Sequence, residues 1–273
     1  MNLNSDLPGK FGLEYPAFGG GVLFSADWMS HILLRNLLAS LVICGGWDWF
    51  LYFSPLQSKL AKYKMSPAYP GSRQILHDAV VTLTASCIAG LLEIWLCHCW
   101  AVGQLPLPSL AQAPLTNLVM ALSLGHYRTP HFYLVHRMIH PWRTTHVPDL
   151  GKLLYRHVHY LHHKSYNPTA FSGTSMHPVE AGLYYSAALI PVMLGLHPVH
   201  SLAVIVDCGL GAWLGHDGFH WPGSGSYFHI LHHRHFDCNY GSSHLPIDWL
   251  CGTYVNSKEQ VHSAGLYIMS GLI

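Results

Sequence analysis

Charge is scarce in this chain. Only 10% of its 273 residues are Asp, Glu, Lys or Arg, against about a quarter in ordinary soluble proteins. Lys and Arg nearly balance Asp and Glu, giving a formal net charge of +1, so no basic surface argues for a nucleic acid partner. The seven cysteines (44, 87, 97, 99, 208, 238 and 251) form no CxxC pair and are odd in number. Neither a zinc ribbon nor a closed disulfide framework is expected from them. Cys97-His98-Cys99 lies inside an apolar run at strand-like ligand spacing, and the cysteines read as buried small hydrophobes. The first thirty residues lack a basic start followed by an apolar core, so no cleavable leader is expected. No low-complexity tract is present, and Ser172-Gly173 and Ser242-Ser243 read as turns rather than nucleophile motifs.

Half of the residues are hydrophobic, with nine Trp and fifteen Tyr, the composition of a membrane protein with interfacial aromatics. The first apolar run is His31 to Phe53, interrupted by Arg35 and Asp48 and ending before Pro55. A second, Ala79 to Val102, carries the single charge Glu93. A third, Leu115 to Val135, is interrupted by Arg128 and Pro130 and leads into His136. Glu180–Gly195 and Val199–Leu214 flank His197-Pro198. Each half is short for about 30 Å of hydrocarbon, so together they read as a helical hairpin that dips in and returns.

The expected fold is an all-α membrane protein. It has about four transmembrane helices, the short hairpin included, and a cytosolic helical cap. The organisation reads as an irregular or interfacial segment (1–30), transmembrane helices (31–135), a catalytic region (136–254) that includes the membrane hairpin 179–214, and a tail (255–273). The loop 54–77 carries Lys59, Lys62, Lys64 and Arg73 and no acid, which places it in the cytosol. The third helix then returns to that side.

Histidine is abundant: 23 residues, 19 of them between His126 and His244. Two i, i+4 pairs (His136/His140 and His216/His220) and two i, i+3, i+4 triplets (His159/His162/His163 and His229/His232/His233) stand out. On helices these spacings put rings on one face, one turn apart. Ten imidazoles exceed one tetrahedral zinc site and suffice for two metals with positions left open. That surplus, and a place beside an apolar cavity, favour iron (two per chain). His157, His177, His235, Asp217, Asp237 and Asp248 are candidates to orient the ligands, because ligating imidazoles usually donate their second N–H. Arg137 and Arg234, inside the boxes, face lipid phosphate or an acidic partner. His31, His77, His98, His126, His131, His146, His197, His200, His244 and His262 read as structural or interfacial.

The stretches HRMIH, HVHYLHH and HILHHRHFDCNYG, with Asp248-Trp249-Leu250-Cys251-Gly252-Thr253, resemble the fatty acid hydroxylase/sterol desaturase superfamily over about Phe132 to Tyr254. His216 and His220 match an extra pair found in some members. Asn239-Tyr240-Gly241 looks closest to the sterol desaturase branch, and Asn239 joins the candidate orienting residues. The resemblance implies an endoplasmic-reticulum non-haem di-iron enzyme with its active site facing the cytosol. It implies O2 as co-substrate, a lipid substrate (a sterol, or alternatively a fatty acyl or sphingolipid chain), and electrons from a separate cytochrome b5 or similar donor with its reductase. The rival classes are a His-rich metal transporter, with ligands near the bilayer midplane, a di-metal hydrolase with carboxylate ligands, and an inactive scaffold.

Overall fold

The computed structural model describes residues 26–143, 146–222 and 225–256. The expectations for residues 1–25, for the tail beyond 256 and for His262 lie outside these. The described chain is helical, with no strand. Its helices are α1 (Ala26–Asp48), α2 (Gln57–Leu60), α3 (Ser72–Ala101), α4 (Pro114–Leu122), α5 (Leu124–Met138), α6 (Leu150–His157), α7 (Pro178–Tyr185), α8 (Leu189–Met193), α9 (Pro198–Gly211), α10 (Ser226–His235) and α11 (Ile247–Leu250).

Three helical stretches among the described residues are long and apolar enough to cross a membrane: Trp28–Phe53, Ser72–Ala101 and Pro198–Gly215. The third sequence run is not a single span. It divides at Ser123 into α4 and α5, and Pro130 lies inside α5. The two halves of the hairpin are also unequal. The first breaks into α7, a 3₁₀ turn and the five-residue α8, which contains Pro191. Chain reversal follows at Gly195, whose φ of 63° suits a residue without Cβ. The second half extends α9 through a 3₁₀ turn to Gly215 and reaches span length.

α1 and α3 form the central pair. Small residues on α3 (Ala85, Ser86, Ala89 and Gly90) let the backbones approach, and a Cβ at Gly90 would stand 2.9 Å from Leu33 Cδ2. This is the packing that apolar solvent demands, where close van der Waals contact and interhelical hydrogen bonds replace the hydrophobic effect. The polar groups in the pair are matched: Ser40 Oγ lies 2.7 Å from Ser86 Oγ, Arg35 pairs with Glu93, and Asn36 Nδ2 donates to Glu93 Oε2 at 3.0 Å.

The end of α1 and the start of α3 carry the histidine region. Asp48 accepts the Ala170 N–H at 2.7 Å, and the Thr82 hydroxyl donates to Phe171 O at 2.5 Å. Asp78, fully buried, accepts the hydroxyls of Ser165, Ser172 and Ser175 at 2.8, 2.9 and 3.3 Å. The Tyr52 hydroxyl donates to the backbone oxygens of Asp217 and Pro168, and Phe219 bridges antiparallel to Lys64 in the loop after α1. These contacts place the segments 159–175 and 216–221 at the end of the bundle where the basic loop lies. Five cysteines are buried, Cys87 is half-buried and Cys251 is exposed, so Cys251 departs from the reading as a core residue.

Replacing Gly90 by Leu overfills the α1–α3 contact. The expected cost is about 1–3 kcal/mol, read as a lower unfolding midpoint in detergent, whereas the same change at Gly46, with open space around it, leaves the midpoint unchanged.

Candidate metal centre

Nine of the ten paired histidines converge in two groups, all buried except the half-buried His233. The first contains His136, His140, His159, His163 and His232. The second contains His162, His216, His229 and His233, and within each group the ligand-competent atoms all lie within 4.8 Å of one another. His136 sits in the last turn of α5 and His140 just beyond its end. The second triplet lies on α10, as helical spacing requires, but the first does not lie on an α-helix. It occupies the 3₁₀ turn His159–Lys164.

Each triplet is divided between the groups. His159 and His163 belong to the first group and His162 to the second. His229 and His233 belong to the second and His232 to the first. Adjacent residues diverge by about 100° on an α-helix and about 120° on a 3₁₀-helix, so the two neighbouring histidines of an HxxHH box aim at different centres. The i, i+4 pair serves one centre and the middle histidine reaches across to the other.

The outer ring nitrogens fix the tautomers. Nδ1 of His136 lies 2.7 Å from Tyr240 O, that of His232 2.7 Å from Cys238 O, that of His216 2.7 Å from Ala212 O, and that of His159 2.7 Å from Glu180 Oε1. Nδ1–H donates in each case, which leaves Nε2 bare. Yet the Nε2 atoms face each other: His136 to His159 at 3.1 Å, His159 to His163 at 3.0 Å, His216 to His162, His229 and His233 at 3.2, 2.9 and 2.9 Å, and His229 to His233 at 3.2 Å. Two bare nitrogens cannot hydrogen-bond to each other, so the His136–His159 contact needs a cation between the lone pairs. Ligands at about 2.1 Å and right angles stand about 3.0 Å apart, and tetrahedral ones about 3.4 Å. The six contacts of 2.9–3.2 Å are of the size that ligands sharing one ion require. Neither ring nitrogen of buried His140 has a hydrogen-bond partner, which is costly for an imidazole without a metal.

Burial, followed by the neighbouring imidazoles, holds His140, His159, His163 and His229 far below the usual histidine range. Burial moves His216 down to about 4, against a partial rise from its bond to Ala212 O. The neutral imidazole that a metal requires is therefore the form present at neutral pH.

His220 is not in either group. Residues 216–218 form a turn and bend, with Gly218 at φ 80°, and Phe219 bridges to Lys64, so the segment is not helical and the i, i+4 spacing from His216 carries no shared face. His220 is exposed, stacks on Tyr227, and lines a surface cleft of about 630 Å³ with His244 and Trp249. Several expected orienting residues also act elsewhere. His157 is exposed at the end of α6. His177 caps α7 by accepting the Val179 N–H. His235 is buried on α10 outside both groups. Asp217 accepts the indole N–H of Trp47 and Trp221, and Asp237 pairs with Arg143.

Asn239 acts indirectly. At φ 54° it accepts the Val255 N–H and donates to Phe228 O and Val255 O, while Asp248 accepts the N–H groups of Tyr240 and Gly241. Together they fix the turn whose carbonyls, Cys238 and Tyr240, orient His232 and His136. Glu180, the carboxylate that orients His159, is missing from the expected set. Its sequence position, three residues after His177 at a helix start, suggests only a first-turn acid.

The fatty acid hydroxylase family model matches residues 120–253. The chain is 26% identical to a putative Delta(7)-sterol-C5(6)-desaturase of Arabidopsis thaliana over 84% of its own length and 81% of the relative's. It is 29% identical to a Delta(7)-sterol 5(6)-desaturase of Leptosphaeria maculans over 47% of this chain and 35% of that protein. A very-long-chain aldehyde decarbonylase of Oryza sativa subsp. indica is 32% identical over 50% and 54%. No solved structure matches.

Two predictions follow from the geometry. Glu180→Leu removes the acceptor of His159 and is expected to weaken metal binding about 10- to 100-fold, while Glu180→Gln, which keeps an acceptor, recovers most of it; metal titration distinguishes the two. In metal-free protein the folded histidines titrate below the unfolded value of about 6.5. Their stabilisation is complete above that pH and is lost as pH falls towards about 4, because the unfolded state binds more protons in that window. Thermal unfolding against pH should be flat from pH 7 upwards and fall steeply below about 6.

Proposed function

Because the chain belongs to the fatty acid hydroxylase/sterol desaturase superfamily, a group of oxidoreductases, we propose that it is a membrane-bound di-iron oxygenase acting on an unactivated C–H of a lipid, a sterol foremost. The observation that carries this reading is the convergence of imidazole nitrogens in two groups, with no carboxylate in either group among the described residues. His136, His140, His159, His163 and His232 would hold one iron, and His162, His216, His229 and His233 the other. Bound iron supplies the one-electron and O2 chemistry that side chains lack.

The protein's part is positional. Carbonyls of Ala212, Cys238 and Tyr240 and the Glu180 carboxylate aim the imidazoles, and burial keeps them neutral. Burial of both groups excludes bulk water. Phe132, one turn before His136 on α5, stacks on that ring at 5.2 Å, lies 6.4 Å from His229 and meets Tyr184 edge-on. It forms an apolar wall beside both groups, against which a lipid carbon can be placed. Hydroxylation consumes O2, two electrons and two protons and releases one water with the alcohol. Desaturation consumes the same and releases two waters with the alkene. The electrons come from a separate donor, cytochrome b5 or a similar protein with its reductase. The basic loop 54–77 supports a cytosolic orientation of the site in the endoplasmic reticulum membrane. The aldehyde decarbonylase relative favours a second reading, in which the substrate is a long acyl chain rather than a sterol.

A transporter would hold its ligands near the bilayer midplane. These groups lie instead at the bundle end that carries the basic loop, and a hydrolase would normally recruit carboxylates. Metal content and products, measured on purified protein supplied with O2, an electron donor and sterol or acyl lipids, test the proposal. The expected result is about two irons per chain and an oxidised lipid. Both are lost in His162→Ala/His163→Ala, which removes a ligand from each group. Freely exchanging metal, uptake of metal into liposomes and no oxidised product would overturn it.

A further inference from the structure

The helix that closes over the first histidine group has a second face. α6 advances about 100° per residue, and its side chains sort into three arcs. Gly151, Leu154 and Tyr155 turn inward. A Cβ at Gly151 would stand 2.1 Å from the carbonyl oxygen of His140, and the Tyr155 ring lies 5.2 Å from the ring of His140 and 5.8 Å from that of His163. Lys152 and Arg156, one turn apart, form an exposed basic arc. Beside it Leu150 and Leu153 form a mainly apolar arc, 48% and 54% exposed, with the exposed His157 between them in the last turn and Val147 at 55% continuing it just before the helix. The acid at the start of the helix, Asp149, already accepts the backbone N–H groups of Trp142, Arg143 and Lys152, so the exposed face is cationic and apolar side by side.

We propose that α6 is an in-plane membrane helix. Val147, Leu150 and Leu153 enter the acyl boundary of the bilayer, and Lys152 and Arg156 reach the phosphates of anionic lipid headgroups. A helix with leucines on one arc and a basic rim matches the interface, where apolar groups sink below the headgroups and long cationic side chains extend back to them. The charge sign selects a surface rich in anionic lipid. The consequence concerns access. The helix covering His140 and His163 rests in the lipid surface, so an apolar molecule reaches the histidine groups from the bilayer without crossing water. The inference rests on the chain spanning a membrane and not on the identity of the metal or on oxygenase activity, so it can fail while that reading stands.

The test is electron paramagnetic resonance of nitroxide labels on the full chain, in a Cys87→Ser/Cys251→Ser background, reconstituted in vesicles of phosphatidylcholine and phosphatidylserine. Labels are placed through Leu150→Cys, Leu153→Cys and Arg156→Cys, with metal content checked for each. At 150 and 153 the ratio of O2 to water-soluble nickel chelate accessibility should exceed that at 156 by about threefold or more, with depths of about 5–10 Å below the phosphates. Labels at 150 and 153 as open to nickel as the label at 156 would overturn the proposal. So would labels that stay open to nickel until an acidic soluble electron-transfer protein shields them, because that result makes the face a protein-docking surface.

Discussion

The structure turns on a repulsion. Nε2 atoms of His136 and His159 stand 3.1 Å apart, although each ring donates its Nδ1–H to a fixed acceptor elsewhere. Facing lone pairs in a dry interior are unfavourable unless a cation lies between them. In the second group His216, whose Nδ1–H goes to Ala212 O, has three imidazole nitrogens within 3.2 Å of its Nε2. A metal ion between the nitrogens would remove this repulsion, and metal binding and stability are therefore linked.

What keeps the imidazoles from swinging apart is a polar frame anchored in the membrane helices. Asp48 and Asp78, at the end of α1 and the start of α3, hold the segment after the first triplet through the Ala170 N–H and three serine hydroxyls. Tyr52 and Trp47 on the first span bind Asp217 beside His216. Asp248 and Asn239 stiffen the turn that supplies two carbonyls. Polar groups in so apolar a chain are expensive, and these make contacts that bear on the position of a histidine. The spans are thus the scaffold of the site as well as its anchor.

The sequence makes the chemistry legible more readily than the geometry. The two histidine triplets, the first pair, the first two spans and the place of the site at the end of the bundle that carries the basic loop follow from spacing, hydropathy and the run of the chain. Four features do not. His220 shares an i, i+4 spacing with His216, but spacing implies a common face only on a helix, and that segment is a bend through Gly218 followed by the bridge to Lys64. The first HxxHH box is 3₁₀, because it is set by contacts to α6 and to the segment after it rather than by local propensity, which is weak over six residues. Glu180 reaches His159 from 21 residues away, a distance that only the folded chain closes. The third apolar run fails as a span because Ser123 divides it into two helices.

The central claim is that each HxxHH box is shared between two metal centres. Anomalous diffraction at the iron edge, on crystals of the iron-loaded protein, tests it most directly. The account predicts two peaks, one enclosed by His136, His140, His159, His163 and His232, the other by His162, His216, His229 and His233, with none at His220. A single peak, or a peak that takes all three histidines of one box, would contradict it.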